Sequence, residues 1–87
     1  MKNTHLISFV KRGKNRKKVF EALDRPMMPS ELVKKIYGKT SNTYFNIVSR
    51  ALAELKEQGL VKVENPKEKT GRIYALTGVG KNVRNAP

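Results

Sequence analysis

The sequence predicts an α+β fold that is mostly helical. Before residue 59, apolar side chains recur at three- and four-residue spacing, as they do in amphipathic helices. After it, residues 60–64 and 72–76 show the alternation and the β-branched and aromatic content typical of strands. Glycine and proline separate these segments, and a chain of 87 residues is expected to form a single domain over residues 1–87.

The first third of the chain predicts two helices separated by Gly13. Residues 4–12 have the apolar pattern of a short amphipathic helix. The apolar side chains between Lys14 and Asp24 lie on one helical stripe, with lysines and an arginine elsewhere. Arg25 precedes a proline and is therefore disfavoured in the α conformation, so the helix should end there. Residues 27–28 are predicted to be extended and able to add an edge strand.

The middle of the chain predicts two further helices. The first begins at Pro29, because proline suits the first helical turn, and closes at Gly38. The second spans about residues 41–58, with Thr40 or Ser41 as its N-cap. Its buried stripe is predicted to consist of Phe45, Val48, Ala51, Leu52 and Leu55.

The last third predicts a hairpin and a short helix. Gly59 is a suitable left-handed helix end, and the two strands that follow it are joined by residues 65–71. This connection is polar and too long for a tight turn, so it should protrude. Thr77 can cap a final helix that ends near Val83.

Three core helices followed by a two-stranded hairpin with a basic tip, with short terminal helices, is the layout of a winged helix-turn-helix. In that layout the third core helix enters the major groove of DNA. The reading helix would then be the segment of about 41–58, and the wing would be about 60–76.

Four segments carry a resemblance to a known family. They are "SFVKRGKNRKKVFEAL" (8–23), "PSELVKKI" (29–36), "VSRALAELKEQGLV" (48–61) and "NPKEKTGRIYALTGVGK" (65–81). Together they resemble small archaeal-type winged-helix transcriptional regulators, related in plan to the MarR and ArsR groups. The resemblance implies a DNA-binding regulator. The segment between Ile36 and Val48 is longer than the resemblance implies, so either the turn or the start of the reading helix is extended.

The distribution of charge separates the reading helix from its flanks. The whole chain has 19 basic and 7 acidic residues, a net charge of +12, which indicates a polyanionic partner. Residues 1–39 hold 11 basic and 3 acidic side chains, residues 60–87 hold 6 and 2, and residues 40–59 balance. Phosphate contacts position a protein while base contacts specify, so a neutral reading helix between basic flanks is consistent with sequence recognition.

Base contacts are expected from the first half of the outer face of the reading helix. The predicted reading residues are Ser41, Asn42, Thr43, Asn46, Ile47 and Arg50. Arg50 suits guanine, Asn42 or Asn46 suits adenine, and Ile47 can meet a thymine methyl group. A phosphate clamp at Arg50 and a core or interface role for Ile47 are equally consistent with the sequence. The rear half carries Glu54 and Glu57, which should point away from phosphates and pair locally or with solvent.

Phosphate contacts are expected from two groups. The first is Lys14, Arg16, Lys17, Ser30 and Lys39, and the second, on the wing, is Lys67, Lys69, Thr70 and Arg72. The basic run of residues 11–18 can equally be an arm in the minor groove or the solvated face of a helix.

Metal binding, cofactor binding and catalysis have no candidate residues. Cysteine is absent and His5 is the single histidine, so thiolate zinc sites are excluded and no metal or cofactor is expected. The "GKT" at 38–40 resembles the end of a P-loop, but Val33 stands where that motif needs glycine. The carboxylates are scattered, with no pair for acid–base chemistry. The protein is therefore expected not to be an enzyme.

The expected function is sequence-specific regulation of transcription by binding double-stranded DNA, as a homodimer. The apolar surplus that suggests a dimer is Leu6, Ile7, Phe9, Val10, Val79 and Val83. No secretory signal, membrane segment or small-molecule effector site is evident, so a cytoplasmic, nucleoid-associated protein is expected.

Two alternatives stay open. One is a non-specific architectural or RNA-binding protein, in which tyrosines 37, 44 and 74 and Phe45 would stack on bases, although packing in the core is the better interpretation. The other is a protein-interaction module that docks an acidic partner.

Overall fold

The chain forms five helices and one two-stranded antiparallel hairpin over residues 4–85, the part that the computed structural model describes. The elements are α1 (Thr4–Arg12), α2 (Lys14–Ala22), α3 (Pro29–Tyr37), α4 (Asn42–Glu57), β1 (Val61–Val63), β2 (Tyr74–Leu76) and α5 (Gly78–Arg84). The mostly helical α+β class predicted from the sequence is confirmed. Among the described helices, none is long and apolar enough to cross a membrane.

Short-range signals set most of the helix ends where they were expected. Ser41, rather than Thr40, is the N-cap of α4, and its hydroxyl accepts a hydrogen bond from the backbone N–H of Tyr44 at 3.1 Å. Gly38 and Gly59 have φ angles of 76° and 77°, in the left-handed region that favours glycine. The end of α2 was predicted too late, since the helix stops at Ala22 instead of Asp24.

The residues between Ile36 and Val48 form a short turn and the first turns of α4. Only residues 38–41 separate the two helices, and α4 runs for 16 residues. Tyr37 at the end of α3 stacks on Tyr44 in the first turn of α4, with ring centroids 4.1 Å apart and an interplanar angle of 3°. This parallel stack ties the early turn of α4 to the preceding helix.

The core lies between α2, α3 and α4 and extends under β1. Its completely buried apolar side chains include Val19, Leu23, Leu32, Val33, Val48, Leu52, Leu55 and Leu60. The prediction that Phe45 belongs to this core is wrong, because its side chain is 43% exposed. At 100° per residue Phe45 lies about 60° from Val48, at the edge of the apolar stripe, and no neighbouring element covers that edge.

Most of the apolar residues that suggested a dimer are buried within this chain by the terminal helices α1 and α5. Leu6 and Val10 of α1 and Val83 of α5 are buried in the core of this chain, and Ile7 and Phe9 pack against it. Of the six residues, only Val79 is a large exposed hydrophobic, at 44%.

The hairpin is short and is joined to the helical core at two places. Val61 pairs with Leu76, and Val63 with Tyr74. The predicted edge strand is reduced to a single bridge, in which Met27 and Tyr74 exchange backbone hydrogen bonds of 2.9 and 2.8 Å.

At its base, the hairpin is held by the cap of α5. The Thr77 hydroxyl donates to the carbonyl of Gly59 at 2.6 Å and accepts from the N–H of Gly80 at 3.0 Å.

Candidate nucleic-acid interface

The front half of α4 presents a polar outer face. Asn42, Thr43, Asn46 and Arg50 are exposed, as the helical period predicted. Ile47 is only half-buried, at the side of this face. Ser41 differs from the other predicted reading residues, because its hydroxyl already accepts the capping hydrogen bond from Tyr44.

One side of this face borders a cleft between α2 and α4, which we call the helix cleft. This open cleft of ≈ 360 Å³ is lined by Asn15, Arg16, Thr43, Asn46, Ile47, Arg50, Ala51 and Glu54. The structure therefore brings four of the six predicted reading residues to one depression.

Arg16 in the helix cleft is engaged within the protein. Its Nε and Nη2 donate to the carbonyl of Phe9 at 3.0 and 2.8 Å, and its Nη1 donates to Glu54 Oε1 at 3.2 Å. The guanidinium carbon also lies 4.0 Å from the centroid of the Phe9 ring. The side chain is 21% exposed. These bonds hold α1, α2 and α4 together and occupy the donors with which Arg16 was predicted to grip phosphate.

The same contact gives one of the two glutamates in the rear half of α4 a partner within the chain. Glu54 was expected to pair locally or with solvent, yet its partner is Arg16, 38 residues away in the chain. A paired carboxylate presents less negative charge to its surroundings than a free one. Glu57 is exposed, one turn nearer the end of the helix.

The first set of residues predicted to contact phosphates does not form one surface. Lys17 borders a different cleft, between α1, α2 and α5, whose lining includes Phe20, Val83 and Arg84. Lys39 is exposed in the turn before α4, and Lys14 is exposed at the start of α2. On α2, Arg16 lies on a different face from Lys14 and Lys17, because residues one and two positions apart do not share a face.

Ser30 lies with the predicted wing residues instead. A second open cleft of ≈ 360 Å³, which we call the hairpin cleft, separates the start of α3, the front of α4 and the hairpin loop of residues 64–73. Its lining is Met28, Pro29, Ser30, Phe45, Ser49, Lys69, Thr70, Gly71, Arg72 and Tyr74. Three of the four predicted wing residues line it, and Lys67 is exposed on the same loop. The described lining contains two cations and no carboxylate.

The hairpin loop is ordered by its own hydrogen bonds. The Asn65 side chain donates to the carbonyl of Gly71 at 3.1 Å and accepts from the N–H of Ile73 at 2.7 Å. Arg72 Nε donates to the carbonyl of Glu68 at 2.9 Å, which leaves the other guanidinium nitrogens of Arg72 for a ligand. This bracing gives the basic tip a defined shape.

Phe45 is the surface residue that the sequence prediction missed. It lies between the outer face of α4 and the hairpin cleft, and it was assigned to the core from the apolar stripe. Its position at the edge of that stripe was the available signal, because residues about 60° from the centre of a buried face are covered only when a neighbouring element reaches them.

No grouping suited to metal binding occurs in the described part of the chain, where no three His, Cys, Asp or Glu side chains come together. Comparisons with models of protein families, with curated proteins and with solved structures each found no significant match.

Proposed function

We propose that the protein is a transcriptional regulator that binds double-stranded DNA sequence-specifically in the manner of a winged helix-turn-helix. The observation that carries this proposal is the exposed polar front of α4, which runs between two clefts. Asn42, Asn46 and Arg50 present amide and guanidinium groups there, the groups that pair with adenine and guanine edges. The likeness to archaeal-type winged-helix regulators supports the same function.

The dimensions of α4 suit this role. A helix with its side chains is about 10–12 Å across and the major groove is about 12 Å wide, so α4 fits the groove, and its 16 residues extend for about 24 Å. Contacts to base edges come from the N-terminal part of the reading helix in this class of protein. The exposed amides of α4 lie at that end.

The hairpin cleft supplies the grip on the backbone. Lys69 and Arg72 are the cations of its lining, and the hydroxyls of Ser30 and Thr70 can donate to phosphate oxygens. The sequence suggested two separate sets of phosphate-contacting residues. In this proposal, one set combines Ser30 at the start of α3 with residues of the wing. Lys14, Lys39 and Lys67 remain exposed candidates outside it.

The experiment is selection from a pool of randomised duplex DNA. A recovered consensus supports the proposal. Equal recovery of unrelated duplexes, or a preference for RNA, contradicts it and favours an architectural or RNA-binding protein. If about six phosphates are contacted, the logarithm of the affinity should fall with the logarithm of the salt concentration at a slope near −5.

We also propose binding as a homodimer to a two-fold symmetric site. The support is narrower than the sequence suggested, because α1 and α5 bury most of their apolar residues within the chain, and Val79 on α5 is the exposed remainder. Sedimentation in the presence of the selected duplex measures the stoichiometry. One protein per palindromic duplex contradicts the dimer and leaves DNA binding intact.

A further inference from the structure

We infer that Phe45 is a specificity-determining residue that contacts the C5 methyl group of a thymine in the major groove. This inference depends on the proposed function and goes beyond it, since it names one base feature and the residue that reads it. Ile47, the residue expected to meet a thymine methyl, is half-buried at the side of the helix cleft and is a poorer candidate.

The side chain of Phe45 is exposed to solvent, where its apolar surface does not contribute to the core. The ring is 43% exposed, and Phe45 and Val79 are the two exposed large hydrophobic residues in the described chain. Burying the remaining surface of a phenyl ring against a ligand is favourable, because apolar area is removed from water.

The surroundings of Phe45 are polar and basic. Phe45 lines the hairpin cleft with Lys69 and Arg72 and with the hydroxyl residues Ser30, Ser49 and Thr70, and no carboxylate lines it. A wholly apolar partner would leave those cations without a counter-charge, and a simple inorganic anion would leave the ring without an apolar contact. A nucleotide with a methyl-bearing base supplies both the anion and the apolar group.

Phe45 lies on the side of α4 that is nearer the hairpin. It lies three residues after Asn42 and four before Ser49, so these side chains are neighbours on one side of α4. When the polar front of α4 faces base edges, Phe45 faces them from the side nearer the hairpin. The thymine methyl is the apolar group on the major-groove edge, and phenylalanine is among the side chains that contact it.

The test replaces thymine by deoxyuridine, which removes only the methyl group. In the selected consensus duplex, each thymine is replaced in turn, and the dissociation constant is measured by fluorescence anisotropy. The unmodified protein should bind about fourfold more weakly at one position, the effect of losing one methyl-sized contact. Phe45→Ser should bind the thymine and deoxyuridine duplexes equally at that position.

Two variants serve as controls. Phe45→Leu keeps an apolar side chain and should retain most of the discrimination, which separates a contact from a general effect on the helix. Val79→Ser makes a comparable change at the other exposed hydrophobic residue and should leave the thymine-to-deoxyuridine ratio unchanged.

The outcomes distinguish this inference from the proposed function. A consensus in which no thymine is sensitive to loss of its methyl group, or in which Phe45→Ser retains the sensitivity, overturns the inference while the DNA-binding function stands. A preference for single-stranded DNA that depends on Phe45 also overturns it and indicates base stacking. Absence of any consensus refutes both, and insensitivity of the unmodified protein to the loss of every thymine methyl group overturns the inference even if Phe45→Ser does not fold.

Discussion

Arg16 Nη1 lies 3.2 Å from Glu54 Oε1, in an ion pair that joins the start of α2 to the rear half of α4. Through its other two nitrogens, Arg16 also holds the carbonyl of Phe9 near the end of α1. A single guanidinium therefore connects three helices, because it carries five N–H donors in a rigid fork. The contact also gives Glu54, one of the two glutamates of α4, a structural partner.

Arg16→Met should lower the free energy of unfolding by about 1–3 kcal/mol, because the Phe9 carbonyl and Glu54 both lose a donor. Glu54→Gln keeps an acceptor for Arg16 and should cost less than about 1 kcal/mol. Urea denaturation measures both. Glu57→Gln, at an exposed site on the same helix, is the matched control and should change stability by no more than about 0.5 kcal/mol.

The salt dependence of DNA affinity tests whether Arg16 contacts a phosphate. At a temperature where the variant is folded, Arg16→Met should leave the salt dependence of DNA affinity unchanged, whereas Lys69→Met should make the slope shallower by about one unit. A shallower slope for Arg16→Met would restore the phosphate role that the sequence predicted for this residue.

Gly80→Ala should destabilise the protein by at least about 2 kcal/mol. A Cβ at this position would overlap the carbonyl oxygen of Leu60 and lie 3.1 Å from its carbonyl carbon, where α5 crosses the start of the hairpin. Gly78→Ala is the matched control, because a Cβ there meets nothing within 4 Å. It should be neutral or stabilise α5 by up to about 1 kcal/mol. Thermal unfolding of the two variants separates a steric effect from helix propensity.

The Tyr37–Tyr44 stack should show coupling in a double-mutant cycle. The rings are parallel with centroids 4.1 Å apart, so alanine at both positions should cost less than the sum of the two single changes by about 0.5–1.5 kcal/mol. Equilibrium unfolding of the four proteins supplies the cycle. Strict additivity would mean that the rings stabilise their helices separately and do not tie α4 to α3.

Lys35 should govern the titration of Asp24. Lys35 Nζ lies 3.1 Å from Asp24 Oδ2 and also donates to the carbonyl of Ala22 at 2.8 Å. Its hydrogen bond to the carboxylate lowers the pKa of Asp24 below the ordinary value of 3.8. Lys35→Met should raise that pKa toward 3.8, as followed by NMR of the side-chain carboxyl carbon.

The stability that this pair contributes follows from the sign of the shift. Because the folded-state pKa is lowered, the contribution is complete above the unfolded value of 3.8 and is lost as pH falls through the folded value. Arg25→Met is the control, since Arg25 lies 3.4 Å from Oδ1 but lowers the pKa of Asp24 less than Lys35 does. An equal rise in both variants would contradict the dominance of Lys35.

Arg50→Ala should weaken binding to the selected consensus by about 1–3 kcal/mol and relax the preference at one base pair. Arg50 is exposed beside Asn46 on the outer face of α4, so its guanidinium can reach a base edge. Affinity for the consensus and its single-base variants measures the effect. Uniform weakening across all duplexes would assign Arg50 to a phosphate.

The sequence by itself determined the order of the elements and most of their ends. Helix periodicity, the capping hydroxyls of Ser41 and Thr77, and glycines at left-handed positions act within about one turn of the chain, so they can be read without knowing the fold. The exposed front of α4 was predictable for the same reason.

Only the tertiary structure decided which side chains meet across elements. In the folded chain Arg16 pairs with Glu54, and Ser30 lines the hairpin cleft. Lys17 borders a cleft that α4 does not line, and Phe45 is exposed. These outcomes depend on how closely neighbouring helices approach and at what angle, and a residue at the edge of an apolar stripe is buried or exposed according to that packing. The local sequence does not determine the distance or the angle between two helices.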